Sequence, residues 1–225
     1  MSAFVTTRIS LHAVAEQLLG GDLHRTTSRI GLRVTPDGFG QPEHFVGDER
    51  RRLRVDLRGP SGPRLVVLRG DVETWHPLSS LRTAAADAGV ELGAAPVYEA
   101  QTALDPDAPL ALDGPAAARL GRFLGFASDA LEQFRRQVSE RNPTIVQLWP
   151  EHFDLGFAAS EINFGASVGD AGHDAPYLYV GPWTLPPPEG PEWNETWGAS
   201  LTWTDDLSLE DAVSFQSHCD ERARG

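Results

Sequence analysis

Two contrasting periodicities and one basic hairpin pattern predict an α+β fold for this chain. Between Gly114 and Val138 apolar residues recur every three or four positions, whereas from Thr144 to Thr204 they alternate in short runs broken by Gly, Pro and Asp. Arginine-bearing alternation around Leu53 to Leu68 adds a hairpin upstream. The expected order is an N-terminal helix and β-hairpins, a long central amphipathic helix, and a C-terminal antiparallel β-meander closed by a helix.

Each element has a local cause. Ser10 is read as the cap of a first helix carrying Leu11, Val14, Ala15, Leu18 and Leu19, with Gly20-Gly21 as its stop. Ile30, Leu32 and Val34 alternate with Gly31, Arg33 and Thr35 up to the Pro36-Asp37-Gly38 turn signal. Leu53, Val55 and Leu57 alternate with Arg52, Arg54, Asp56 and Arg58, and a turn from Gly59 to Pro63 returns the chain through Leu65 to Leu68. A second helix is expected from about Leu78 to Ala88, capped by Ser79 or Ser80 and closed by Gly89. Residues 93–114, rich in Ala, Pro, Asp and Gly, read as an extended connector with one strand at Val97 to Ala100. It would join lobes 1–110 and 111–225 of one domain.

Asp113-Gly114-Pro115 opens the clearest helix, whose Leu120, Phe123, Leu124, Ala127, Leu131, Phe134 and Val138 form one stripe ending at Asn142-Pro143. Strands are then expected at Ile145 to Leu148, Phe153 to Ala159, Ile162 to Ser167, Tyr177 to Trp183 and Trp197 to Thr204. Ser208 and Asp211 form a capping pair for a last helix from Leu209 to about Cys219.

Composition narrows function more by exclusion than by assignment. Nineteen basic residues against 32 acidic ones give a net charge of -13 over 225 residues, which disfavours a nucleic-acid partner. Every base is arginine, so lysine Schiff-base chemistry and a phosphate-loop lysine are excluded. No dinucleotide fingerprint occurs. The only cysteine, Cys219, precludes an internal disulfide, and no apolar run approaches the ~20 residues of a membrane span. A cytoplasmic protein that does not enter a membrane is the expectation, with a homo-oligomer compatible with it.

The charge is unevenly placed. Residues 1–141 hold 17 Arg against 18 acids, whereas residues 142–225 hold 2 Arg against 14 acids and five of the six tryptophans. Aromatic faces and carboxylates together suit a small polar or cationic ligand. The candidates are Trp183, Trp193, Glu192, Glu195, Tyr177 and Tyr179; Trp197 and Trp203 are either further components of such a pocket or, by their alternation with Ala199 and Leu201, the buried face of the last strand. The alternative is a metal-dependent hydrolase holding a divalent ion such as zinc. His152 and Asp154 would project from one strand face, and Asp170 and His173 would complete the set. A structural or assembly role is a third class. Arg52, Arg54 and Arg58 on one strand face could clamp an anion, or serve as a solvated face.

The wording of the C-terminal strands carries a resemblance. Gln147-Leu148-Trp149-Pro150-Glu151-His152-Phe153-Asp154-Leu155, then Asn163-Phe164-Gly165-Ala166-Ser167 with Gly169-Asp170, then Pro176-Tyr177-Leu178-Tyr179-Val180 resembles an uncharacterised bacterial family catalogued as a domain of unknown function. The preceding elements follow a similar order. That resemblance implies no activity, cofactor or catalytic residue.

Overall fold

The computed structural model describes residues 1–59, 62–103 and 105–225. It is α+β, and its contacts divide it into two compact units, 1–122 with 148–153 and 123–147 with 154–225. The division falls inside the central helix, not in the Ala- and Pro-rich connector.

In the first unit, helix α1 (Ala3–Ala13) begins after Ser2, whose hydroxyl accepts the Val5 N–H. Ser10 is therefore no cap: it lies within the helix and its Oγ accepts the Ala111 N–H at 3.0 Å. Nor do Gly20 and Gly21 stop the helix. The chain passes through a π-helical stretch, Val14–Gly20, into α2 (Gly21–Thr27), which ends at Ser28 in the left-handed region. These glycines serve close approach instead, since a Cβ on Gly21 would sit 1.8 Å from the Gly93 carbonyl oxygen.

The first sheet contains β1 (Arg33–Thr35), β2 (Gly38–Gly40), β3 (His44–Val46), β4 (Glu49–Asp56), β5 (Arg64–Arg69) and β6 (Val72–Pro77). Its order is β1-β2-β4-β5-β6, with β3 also on β4. Strands β2, β3 and β6 were not expected: β2 and β3 are three residues each, and β6 is exposed along most of its length. Part of the expected Gly59 to Pro63 turn, Pro60 and Ser61, lies outside the described residues. One sheet face supplies Phe39, Leu53, Val55, Leu65 and Val67 to a core shared with Leu11, Leu18, Leu19 and Phe153. Helix α3 (Leu81–Ala88) is capped by Ser80 and closed by Gly89, as its sequence predicts.

The arginine face is occupied by its neighbours. Arg54 reaches Glu73 at 3.0 Å, Arg64 reaches Asp56 at 2.7 Å and Arg50 reaches Asp71 at 3.0 Å, while Arg58 lies beyond the end of β4. The connector forms no strand at Val97 to Ala100. It is held by side chains of the first helical run, with Gln101 and Thr102 N–H groups donating to the fully buried Glu16 at 2.7 and 2.8 Å.

Helix α4 (Gly114–Gln137) opens with Ala116 N–H donating to Asp113 and runs through the division between the units. After a 3-10 turn, Ser139–Arg141, Asn142 takes a left-handed conformation and the meander begins. Strand β7 (Gln147–Trp149) precedes β8 (Asp154–Ala159), β9 (Ile162–Ser167), β10 (Tyr177–Pro182) and β11 (Ala199–Thr202). The last four form the antiparallel order β11-β10-β9-β8 within the second unit.

One face of those four strands is apolar. Leu155, Phe157, Phe164, Ala166, Leu178 and Val180 are all buried, and Phe134 of α4 meets Phe164 edge-on at 4.9 Å. Helix α5 (Leu209–Arg224), capped by Ser208, contributes Ala212, Val213 and Cys219. No helix of the described residues is long and apolar enough to cross a membrane.

Candidate functional site

The opposite face of β8–β11 carries the acids and rings. Register fixes it: Tyr177 stands opposite Ser167, itself opposite Asp154, and Tyr179 stands opposite Gly165, itself opposite Gly156. Residues directly opposite share a face, so Asp154, Ser167, Tyr177, Tyr179 and Ser200 are all on one side.

Two glycines let Tyr179 lie down across this face. Its hydroxyl crosses β9 and donates to Asp154 Oδ2 on β8 at 2.6 Å. A Cβ on Gly165 would come within 2.2 Å of Tyr179 Cζ, and one on Gly156 would touch the hydroxyl at 3.4 Å. No other residue at 165 leaves the ring where it is.

A second tyrosine starts a longer chain of contacts. Tyr177 donates to Asp170 Oδ2 at 2.5 Å, and Asp170 Oδ1 accepts the Gly172 and His173 N–H groups at 2.7 and 2.9 Å. His173 Nδ1 lies 3.5 Å from Asp170, and its Nε2 lies 2.9 Å from Glu195, which also accepts the Ser200 hydroxyl at 2.8 Å. Asn194 pins this loop to β11 through both atoms of its amide, at 3.0 and 2.8 Å from the Ser200 backbone.

The rings form a continuous surface beside these acids. His173 is 4.6 Å from Tyr177, Tyr177 is 6.2 Å from Tyr179, and Trp197 meets Tyr179 perpendicularly at 5.9 Å.

Electrostatics set the protonation of the parts. Burial pushes the Tyr177 and Tyr179 hydroxyls above the ordinary phenol range, and Asp170 and Asp154 push them further the same way. For Asp170, burial acts upward, but hydrogen bonds from Tyr177, Gly172 and His173 outweigh it and hold the carboxyl below its usual value. The phenols therefore stay as donors and Asp170 stays an anion. The arrangement offers carboxylates flanked by aromatic faces, which is the chemistry of cation recognition.

The sequence candidates are partly joined here. Tyr177, Tyr179 and Glu195 of the ligand set come together with Asp154, Asp170 and His173 of the metal set. Trp183 flanks the face: it is 60% exposed, with its indole N–H on Asn163 at 3.0 Å. Glu192 is taken by Arg222 at 2.7 Å, which holds its carboxyl below the usual range, and Trp193 makes no contact with these rings. His152 is an exposed residue of the first unit, and Asp154 and Asp170 each accept a tyrosine hydroxyl. No three His, Cys, Asp or Glu side chains gather as metal ligands among the described residues.

Two contributors had no place in the sequence expectations, Ser200 and the Gly156–Gly165 corridor, and of the two readings open for Trp197 it is the ring on the polar face that the structure has. Trp203 is buried against Phe123, as a strand's core face predicts, but Trp197 turns to the acidic face because the alternation breaks at Gly198. A glycine within Asn163-Phe164-Gly165-Ala166-Ser167 was the available signal for a side chain crossing its strand.

No family model, curated protein or solved structure matches the chain.

Proposed function

We propose that the second unit binds a small cationic ligand, an ammonium or guanidinium compound, on the polar face of β8–β11 without chemically transforming it. The observation that carries this reading is the single run of contacts from Ser200 through Glu195, His173 and Asp170 to Tyr177, with Tyr179 and Asp154 beside it and Trp197 against the rings. Three carboxylates in that set supply the charge, and the aromatic faces supply a surface on which a cation is favoured over a neutral group. Half-exposed Asp170 and His173 give the face an opening to solvent.

Calorimetric titration with agmatine, arginine and choline, and with glucose as the neutral control, tests it. The cations bind and glucose does not; Asp170→Asn weakens binding at least about tenfold, the value of one charge-assisted hydrogen bond. Trp183→Ala leaves affinity nearly unchanged. Absence of any cation binding at millimolar concentration, or binding indifferent to Asp170→Asn, refutes the proposal.

A further inference from the structure

Strand β6 is the edge of the first sheet, pairing with β5 alone among the described residues. Natural sheets protect such edges with unpaired charges, lysine above all, internal proline, a bulge or a covering element; the one charged residue of β6, Glu73, is already paired with Arg54 at 3.0 Å. Along β6 none of the first three is present before Pro77, residues 72–75 are all exposed, and Val72 and Trp75 are 64% and 62% accessible. An open edge with two bared apolar side chains is a template for another strand.

The hairpin geometry says which backbone groups are free. A two-residue loop, Gly70–Asp71, with Gly70 at φ 58°, closes β5 onto β6, and Arg69 faces Val72 as the closing pair. Closing residues of such a hairpin exchange both hydrogen bonds, and alternation then aims Thr74 and His76 at β5 as well. The N–H and C=O groups of Glu73 and Trp75 point outward.

We infer that β6 pairs antiparallel with β6 of a second copy of this chain about a two-fold axis at Thr74. In this register Glu73 exchanges hydrogen bonds with the partner's Trp75 and Trp75 with the partner's Glu73, while the two threonines face each other. Shifting the axis to Trp75 sets Glu73 against a proline, which has no N–H to give, and shifting it to Glu73 sets two glutamates face to face. Charge favours the same choice. Arg64 lies over the Trp75 ring at 5.4 Å, so Glu73 meets a guanidinium stacked on the indole across the axis, and Arg52 and Arg54 already flank Glu73 on that face. A single strand pair is a small interface, so the dimer is weak and concentration-dependent.

Sedimentation equilibrium of the whole chain up to ~1 mM tests this. The mass climbs from 24.4 kDa toward twice that value. Thr74→Lys and Thr74→Glu each hold the chain as a folded monomer by circular dichroism, because like charges meet on the axis. Mixing the two variants restores dimer, since lysine then faces glutamate. Trp75→Pro, which removes an outward-pointing N–H together with the indole that Arg64 covers, also abolishes it. A wild type that stays monomeric at 1 mM, a dimer unchanged by Thr74→Lys, or a mixture that does not reassociate overturns the inference.

Discussion

Replacing Gly165 by alanine tests whether the tyrosine bridge depends on a strand with nothing on it. Gly165 has extended backbone, so alanine meets no conformational penalty there, and a Gly→Ala change would by itself stabilise by roughly 0.4–1 kcal/mol. The new methyl carbon would stand 2.2, 2.4 and 2.5 Å from Tyr179 Cζ, Oη and Cε1, distances no side chain tolerates. The ring must leave, and its 2.6 Å hydrogen bond to Asp154 goes with it. Overpacking of this kind costs about 1–3 kcal/mol. Losing a hydrogen bond to a charged group costs about 1.5–3 kcal/mol more, for a net destabilisation of about 3 kcal/mol. At roughly 2–4 °C per kcal/mol for a chain of this size, Tm falls by about 6–12 °C. The assay is urea denaturation of a double-mutant cycle. In a Tyr179→Ala background the ring is already gone, so Gly165→Ala becomes neutral or stabilising, and a coupling of about 3 kcal/mol appears. Equal costs in both backgrounds, or a wild-type cost under about 0.5 kcal/mol, would refute the close approach as the reason for this glycine.

Three further expectations follow from the same physical terms. Burial raises the hydroxyls of Tyr98, Tyr177 and Tyr179, all three tyrosines of the chain, with carboxylates adding to it. The folded state therefore holds more protons than the unfolded one above pH 10, and stability declines as pH rises past that value. Absorbance at 295 nm should show no tyrosinate in the folded chain near pH 10, and one phenol titrating there would contradict the assignment. Arg141 holds the buried Asp220 through two contacts of 2.8 and 2.7 Å and also reaches the Ala159 carbonyl. Arg141→Ala leaves that carboxylate only the half-exposed Arg224 at 3.2 Å, at a cost of about 1.5–3 kcal/mol, and chemical denaturation should find lysine a poor substitute. Glu16→Ala removes the acceptor for the Gln101 and Thr102 N–H groups, a loss of about 3 kcal/mol. Limited proteolysis should then cut within residues 99–110 much faster than in the wild type; an unchanged rate would count against Glu16 as the anchor.

Much of the second unit was legible because its cues are local. Ile162 to Ser167 is a strand with its predicted bounds, Ser208 caps α5, and the α4 stripe from Leu120 to Phe134 is buried. Elsewhere one residue type answered to two causes. Gly20-Gly21 had the form of a helix stop yet exists to let Gly93 and Pro150 approach, and Ser10 had the form of a cap yet holds Ala111. Strand β6 was invisible because an exposed edge buries neither face and leaves little hydrophobic alternation to read.

The candidate site divides the same way. Its composition, acids and aromatic rings in the last third of the chain, is a property of the sequence alone, as are the helix and strand periods and the lack of lysine. Which of those residues meet was decided by tertiary structure. Register placed Asp154 and Tyr179, 25 positions apart, on one sheet face; the loops after β9 and β10 brought Asp170, His173 and Glu195 to it; and Arg222 drew Glu192 away. Hydrophobic period is written residue by residue, whereas a hydrogen bond across strands depends on pairing and on the empty space above a glycine. Neither has a local signature in the chain.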